Sequence, residues 1–111
     1  MGKPAGVEIT RERLQILMED SIPEKAIKVI DDYIYDSAKK GQMYCTLYVA
    51  KGHENEEIII YADAIKIYYE RRGIGVTIQK SNDYIIEGKV VDAYEIIFDW
   101  SFADLANPLY V

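Results

Sequence analysis

Cysteine and histidine, which together can form a nucleophilic catalytic pair, occur once each in this chain, as Cys45 and His53. A Cys–His catalytic pair needs both side chains within hydrogen-bonding distance of each other. Cys45 falls on the apolar side of an alternating segment, where cysteine usually behaves as a small core residue. One cysteine and one histidine are also too few for the usual ligand sets of structural zinc. We therefore expect a buried Cys45, a surface His53, and no catalytic, metal or cofactor site.

Carboxylates cluster in two segments. Asp31, Asp32 and Asp36 share one helix-like segment, with Asp32 and Asp36 one turn apart. That spacing could hold a hard cation or support acid–base chemistry in a cleft. A solvated helix face has the same composition, so we expect these three aspartates to form an acidic surface. The glutamates within residues 54–57 are explained by the positive end of a helix dipole.

Two motifs that could bind phosphate adjoin at residues 71–75. Gly73-Ile74-Gly75 resembles a fragment of a phosphate loop, but a dinucleotide fingerprint follows a strand and opens a helix, the reverse of the order here. Arg71 and Arg72 stand at a helix end, where positive charge complements the dipole. The net charge of −6, from 19 acidic and 13 basic residues, disfavours a phosphate backbone as partner. We expect no nucleic-acid binding.

Two helices are predicted in the first forty residues. Thr10 is a suitable N-cap for a short helix over about residues 11–19. The sequence Ser21-Ile22-Pro23-Glu24 matches a capping box and opens a longer helix that runs to about residue 40. Apolar residues recur in it at three- and four-residue intervals, which predicts one buried face.

A third helix is predicted from Asn55, its proposed N-cap, to about residue 72. Three isoleucines at 58–60 would also suit a strand, but the helical spacing continues to Tyr69 and favours a helix. Gly41 and Gly73 follow the second and third helices, where glycine supplies a left-handed stop.

Alternating residues predict the strands. Apolar side chains alternate with tyrosine and threonine over Met43–Val49, and a second strand covers Ile74–Ile78. A short third strand is predicted at Tyr84–Glu87, followed by a turn at Gly88. In the last strand, over residues 94–100, Glu95 and Asp99 point away from an apolar face, and Ile97 is an exception on the polar side.

This order, α-α-β-α-β-β(-β), predicts an α+β fold: a small three- to four-stranded, mainly antiparallel sheet with two long helices and a short N-terminal helix. We assign residues 9–101 to a single domain, residues 1–8 to a flexible lead-in and residues 102–111 to an apolar tail. The lead-in lacks the apolar stretch of a secretory signal, and no apolar segment is long enough to span a bilayer. We expect no membrane contact and a location in the cytoplasm, or in an assembly that is made inside a cell.

Ten tyrosines in 111 residues are an unusual enrichment. Tyr44 and Tyr48 fall on the strand face opposite the apolar one. If helices cover only the apolar face, Tyr44 and Tyr48 form one amphipathic surface with Thr46, Thr77 and Gln79, of a kind suited to protein contacts. The other reading is that a helix covers this face or that it is merely solvated. The apolar tail either docks on another chain or folds back. The predicted interface residues are Tyr44, Tyr48, Thr77, Phe102, Leu105, Leu109 and Tyr110.

Three segments carry a resemblance to small α+β proteins of bacteriophages and other large-DNA viruses. They are Ala38-Lys39-Lys40-Gly41 leading into Tyr44–Val49, Tyr69–Gly73 leading into Val76–Ile78, and Ile96-Ile97-Phe98-Asp99-Trp100. The resemblance implies virion parts or host-directed binders and transfers no catalytic residues. We predict a non-enzymatic protein that binds a protein partner, as a host-directed accessory factor or inhibitor, with an acidic mimic of nucleic acid as one version. The alternative is a virion or other assembly subunit that self-associates through its tyrosine-rich face and tail.

Overall fold

The computed structural model describes residues 9–53 and 55–101. They form an α+β fold with elements in the predicted order. The elements are α1 (Arg11–Asp20), α2 (Glu24–Lys39), β1 (Tyr44–Ala50), a 3-10 helix (Glu56–Tyr61), α3 (Ala62–Glu70), β2 (Gly75–Ser81), β3 (Ile85–Ile86), β4 (Lys89–Val90) and β5 (Ala93–Asp99). No helix in the described ranges is both long and apolar enough to cross a membrane.

The main sheet has three strands in the order β1-β5-β2, and β5 is antiparallel to both neighbours. Strands β3 and β4 form a separate hairpin, so the short strand expected at Tyr84–Glu87 does not extend the main sheet. Glu87 and Gly88 close this hairpin with φ of 53° and 78°. Two positive φ values are what a two-residue type I′ turn requires.

One face of the sheet is apolar because alternate residues of all three strands share it. Register places Leu47, Ile96 and Ile78 in one row and Cys45, Phe98 and Val76 in the next. Helices α2 and α3 cover these rows, and the largest buried side chains include Ile30, Ile65, Ile96 and Phe98, each 0% exposed. Burying a side chain of this size stabilises the fold by about 1.5–3 kcal/mol.

Tyr69 of α3 joins the two covering helices to the sheet. Its ring meets Phe98 edge to face with centroids 5.2 Å apart, and the ring is 2% exposed. Its hydroxyl donates to Oδ1 of Asp31 on α2 at 2.7 Å. Burial is the main cause that raises the pKa of Tyr69 above its usual value, and the bond to Asp31 raises it further.

The helix boundaries confirm three predicted signals. Thr10 caps α1, because its hydroxyl accepts from the backbone N–H of Arg13 at 3.2 Å. Gly41 and Gly73 follow α2 and α3 with φ of 81° and 84°, the left-handed region in which glycine has no side-chain penalty.

Two predicted caps are wrong. Ser21 ends α1 and does not open α2: its hydroxyl donates to the Met18 carbonyl at 2.6 Å, and Pro23 is the N-cap without a side-chain bond. Asn55 has φ of 69°, whereas a capping side chain needs extended backbone at that position. The segment after Asn55 is therefore a 3-10 helix, and regular α3 begins only at Ala62.

Helix α1 is attached through ion pairs to the end of α3 and through Met18, which packs against the core. None of its residues is buried, and Leu17 of its predicted apolar stripe is 65% exposed. Glu19 lies 2.8 Å from Nη1 of Arg71 and 3.0 Å from Nη1 of Arg72. Arg72 also donates to the Tyr68 carbonyl at 2.7 Å, so the predicted role at the helix end is present. Sequence reasoning missed Glu19 as the partner of both arginines.

Candidate functional site

The candidate site is the face of the main sheet that no helix of the described residues covers. Register sets three rows across β1, β5 and β2 on this side: Tyr44, Asp99 and Gly75; Thr46, Ile97 and Thr77; Tyr48, Glu95 and Gln79. We call these nine residues the open face. Helices α2 and α3 pack on the opposite side, where Tyr69 of α3 contacts Phe98 of β5 and bonds Asp31 of α2.

Most of the open face is exposed, including both of its tyrosines. Tyr44 is 59% and Tyr48 40% exposed, and Thr77 is also exposed. Ile97 lies half-buried at the centre between Thr46 and Thr77, on the polar side as the sequence predicted. An aliphatic centre with aromatic and polar neighbours is the composition of a protein interface.

Acidic and amide groups stand at both ends of the open face. Gln79 donates to Oε2 of Glu95 across the strands at 2.7 Å, which fixes both side chains. Asp99 at the other end accepts from the backbone N–H of Ser101 at 2.8 Å. These carboxylates make the rim of the surface negative, so a basic or neutral partner surface is favoured.

The segment from β2 to β5 borders the open face at one end. Ala50, Ala93 and Ser81 form the next row of the register, and all three are buried. The ring of Tyr84, next to β3, stacks on Tyr48 with centroids 4.6 Å apart and an angle of 3°. Three small residues in one row leave room for this segment to lie close to the sheet. The sequence carries that signal, but it can be read only once the register is known.

The predicted site residues have different placements. Tyr44, Tyr48 and Thr77 share the open face. The four predicted interface residues of the tail, Phe102, Leu105, Leu109 and Tyr110, lie outside the described residues.

The three aspartates of the predicted acidic surface are all exposed on α2. They are not equivalent, however. Asp31 accepts the hydroxyl of buried Tyr69, and Asp32 pairs with Lys28 at 3.6 Å. Asp31 therefore has a structural contact that its neighbours lack, and a change of its charge would disturb packing as well as the surface.

Cys45 and His53 are far apart. Cys45 is buried, and burial raises the pKa of its thiol, opposed by the hydrogen bond with Ser37. His53 is exposed in the turn beyond the other end of β1. Five strand steps from Cys45 to Ala50 already span about 17 Å. Within the described ranges, no group of three or more His, Cys, Asp or Glu side chains is placed to hold a metal ion.

A cavity of about 320 Å³ lies on the helix side, at the end of the sheet. It is lined by Val49, Lys51, Glu56, Ile59, Lys80, Asp92 and Tyr94. Two lysines and two carboxylates balance there, so its charge selects no class of ligand. Sequence reasoning considered Glu56 only as a charge at a helix start and did not bring these residues together as a site. The available signal was the placement of Tyr94 and Lys80, which face each other in an otherwise apolar row.

Comparison with known proteins found no matching family model, curated protein or solved structure. The functional argument therefore rests on the surfaces described above, and the resemblance to viral proteins stays a prediction.

Proposed function

We propose that this protein acts by binding another protein through the open face, without catalysis. The observation that carries the proposal is the unequal covering of the sheet. Two helices pack on one face, whereas the other presents Tyr44, Tyr48 and Thr77 around half-buried Ile97. Tyrosine gives a large contact area at a low cost in side-chain entropy, which suits a binding surface.

The chemistry of the rim favours a protein partner with a neutral or basic surface. Glu95 and Asp99 lie on the open face, and the chain as a whole carries a net charge of −6. Phosphate backbones are repelled by such a surface. Copies of the chain also repel one another, so a different protein is a better partner for this face than a second copy.

The version to which the resemblance points is a host-directed factor encoded by a bacteriophage and acting in the host cytoplasm. The alternative is an assembly subunit, which would associate with itself. Sedimentation velocity at two concentrations separates them: the binder stays at one mass, whereas the assembly subunit grows with concentration.

Site-specific photocrosslinking tests the proposal. A photoreactive amino acid replaces Thr77 on the open face and, as a matched control, exposed Glu12 on α1. In lysate of the candidate host, we expect one crosslinked protein from position 77 and none from position 12. When Ile97→Lys is added to the variant with the photoreactive residue at position 77, capture of this protein should be lost. Asp20→Lys, which adds a similar charge on α1, should leave capture intact. Equal crosslinking from both positions, or capture that survives Ile97→Lys in a folded variant, would contradict the proposal.

The acidic-mimic version needs its own variant. Asp32→Lys with Asp36→Lys reverses the exposed charge of α2 and leaves the bond between Asp31 and Tyr69 intact. If the partner recognises the acidic helix, this double variant loses capture. Retention by the double variant, together with loss on Ile97→Lys, assigns binding to the open face.

A further inference from the structure

The two edges of the main sheet differ in their hydrogen bonding. At the ends of the β1–β5 ladder, the Trp100 N–H donates to the Met43 carbonyl at 2.9 Å and the Lys51 N–H to the Asp92 carbonyl at 3.0 Å. Residue pairs in an antiparallel ladder alternate between hydrogen-bonded and non-hydrogen-bonded. The odd-numbered residues of β1 therefore direct their backbone groups towards β5. The even-numbered residues, Tyr44, Thr46 and Tyr48, direct theirs away from the sheet.

The outer edge of β2 is covered at Val76 by side chains of α3. Val76 directs its backbone groups outwards, and Nζ of Lys66 donates to its carbonyl at 2.7 Å. The Val76 N–H donates to Oε2 of Glu70 at 3.4 Å, and Lys66 and Glu70 pair with each other at 2.8 Å. This ion pair occupies the position that a further strand would need.

In the described part of the chain, the outer edge of β1 has no such cover. Among residues 9–53 and 55–101, no side chain bonds the outward backbone groups of Tyr44, Thr46 or Tyr48, and no backbone group outside the main sheet does so. The sequence of β1, Tyr-Cys-Thr-Leu-Tyr-Val-Ala, also lacks the lysine, proline or glycine that usually protects an edge strand. Such an edge is a template for strand addition.

One flank of α2 lies above this open edge. The hydroxyl of Tyr69 contacts Asp31, so the flank with Asp31 faces α3. Helical spacing places Val29, Tyr33 and Asp36 on the opposite flank, beyond β1. There a hollow of about 200 Å³ is lined by Val29, Asp32, Tyr33 and Asp36. All four lining residues belong to α2, which packs on β1. A strand added at the open edge of β1 would therefore run beside this flank of α2, and we call the edge and the flank together the groove.

We propose that this groove binds an extended segment of a partner protein, which adds to β1 as a fourth strand. The backbone of the partner segment forms hydrogen bonds with the outward backbone groups of Tyr44, Thr46 and Tyr48. Alternate side chains reach the α2 flank, an apolar one against Val29 and Tyr33 and a basic one beside Asp36. The inference rests on the proposed function only in taking a protein as partner, since the groove and the open face use different side chains.

A second copy of the chain fits the groove less well. Paired strands lie about 4.8 Å apart, whereas a helix with its side chains is about 10 Å wide. Two α2 helices above paired β1 strands would therefore overlap. Asp32 and Asp36 would also meet the same acidic residues of the other copy. A single basic strand avoids both problems.

The probe is a fluorescein-labelled peptide, Lys-Thr-Val-Thr-Val-Thr-Lys, measured by anisotropy. Its control is the same peptide with alternate backbone amides N-methylated, which blocks strand pairing and keeps the charge. We expect the methylated peptide to bind at least tenfold more weakly. Asp36→Lys should weaken binding of the parent peptide at least fivefold, and Asp20→Lys on α1 should change it less than twofold. Hydrogen exchange should slow at the amides of Thr46 and Tyr48 and not at Ile78 of β2.

Several results would overturn the inference. They are equal binding of both peptides, no binding of the parent peptide at millimolar concentration, or protection at Ile78 in place of Thr46. A doubled mass without peptide that is lost in Thr46→Pro would assign the edge to a second copy. Thr46→Pro keeps the β1–β5 ladder, because the N–H of Thr46 points outwards. Ile97→Lys should remove open-face capture and leave peptide affinity unchanged, so the two proposals fail independently.

Discussion

Replacement of Tyr69 by phenylalanine isolates one hydrogen bond in the core. The ring keeps its edge-to-face contact with Phe98, and only the bond to Asp31 is lost, a 2.7 Å contact made by a residue 2% exposed. Hydrogen bonds to charged groups contribute about 1.5–3 kcal/mol. Asp31 is itself exposed and regains water, so we expect Tyr69→Phe to lower the free energy of unfolding by about 1.5 kcal/mol at pH 7.

The same substitution changes the response to alkaline pH. The pKa of Tyr69 is raised in the folded state, first by burial and then by Asp31. Above about pH 10 the unfolded chain therefore releases the phenol proton before the folded protein does, and stability falls. The stabilisation that comes from the raised pKa of Tyr69 is therefore fully present below pH 10 and is progressively lost above it. We expect the advantage of the wild type over Tyr69→Phe to shrink by about 1 kcal/mol between pH 10 and 11.

Urea unfolding followed by the fluorescence of Trp100 measures both effects. A double-mutant cycle with Asp31→Ala should give a coupling free energy of about 1 kcal/mol at pH 7. Other titrating groups are common to both proteins and cancel in the difference. Unchanged stability of Tyr69→Phe at pH 7, a coupling near zero, or parallel pH curves would refute the role of this bond.

Three further perturbations have expected outcomes. Glu19→Ala should lower the free energy of unfolding by about 1–2 kcal/mol in urea titrations, because it leaves two partly exposed arginines without their anion; a cost no greater than that of Glu12→Ala would contradict this. Gly73→Ala should cost about 1–2 kcal/mol in the same assay through its φ of 84° alone, since an added Cβ meets nothing within 4 Å; a neutral substitution would show that the helix end relaxes. The Cys45 thiol should react with a thiol reagent only at the rate of unfolding, and rapid native-state labelling would disprove its burial.

Local signals predicted much of this fold. Gly41 and Gly73 end their helices because positive φ is a property of one residue and its neighbours. The alternation in β5 placed Ile97 on the polar side, which the register confirms. Tyr44, Tyr48 and Thr77 were grouped on one face by the same period of two, and the paired strands place them together.

Contacts between distant segments were not predictable in this way. Arg72 and Glu19 are 53 residues apart, and Tyr69 and Asp31 are 38 apart. Periodicity indicates which face of an element is buried and not which element covers it. The contact of Lys66 with the edge of β2 could not be predicted for the same reason, since it depends on α3 lying beside β2. Asn55 was misassigned because its side chain suits both a cap and a left-handed turn.

The strand order has a consequence for biosynthesis. Among the described residues, the middle strand of the main sheet, β5, is the last of its three strands in the chain, and β1 and β2 pair only with it. Neither outer strand has a partner in the main sheet until the ribosome has released residues 93–99. Folding should therefore be late and cooperative, governed by contacts between remote positions. Nascent chains arrested before residue 93 should remain protease-sensitive over β1 and β2, and resistance should appear in one step once β5 has emerged.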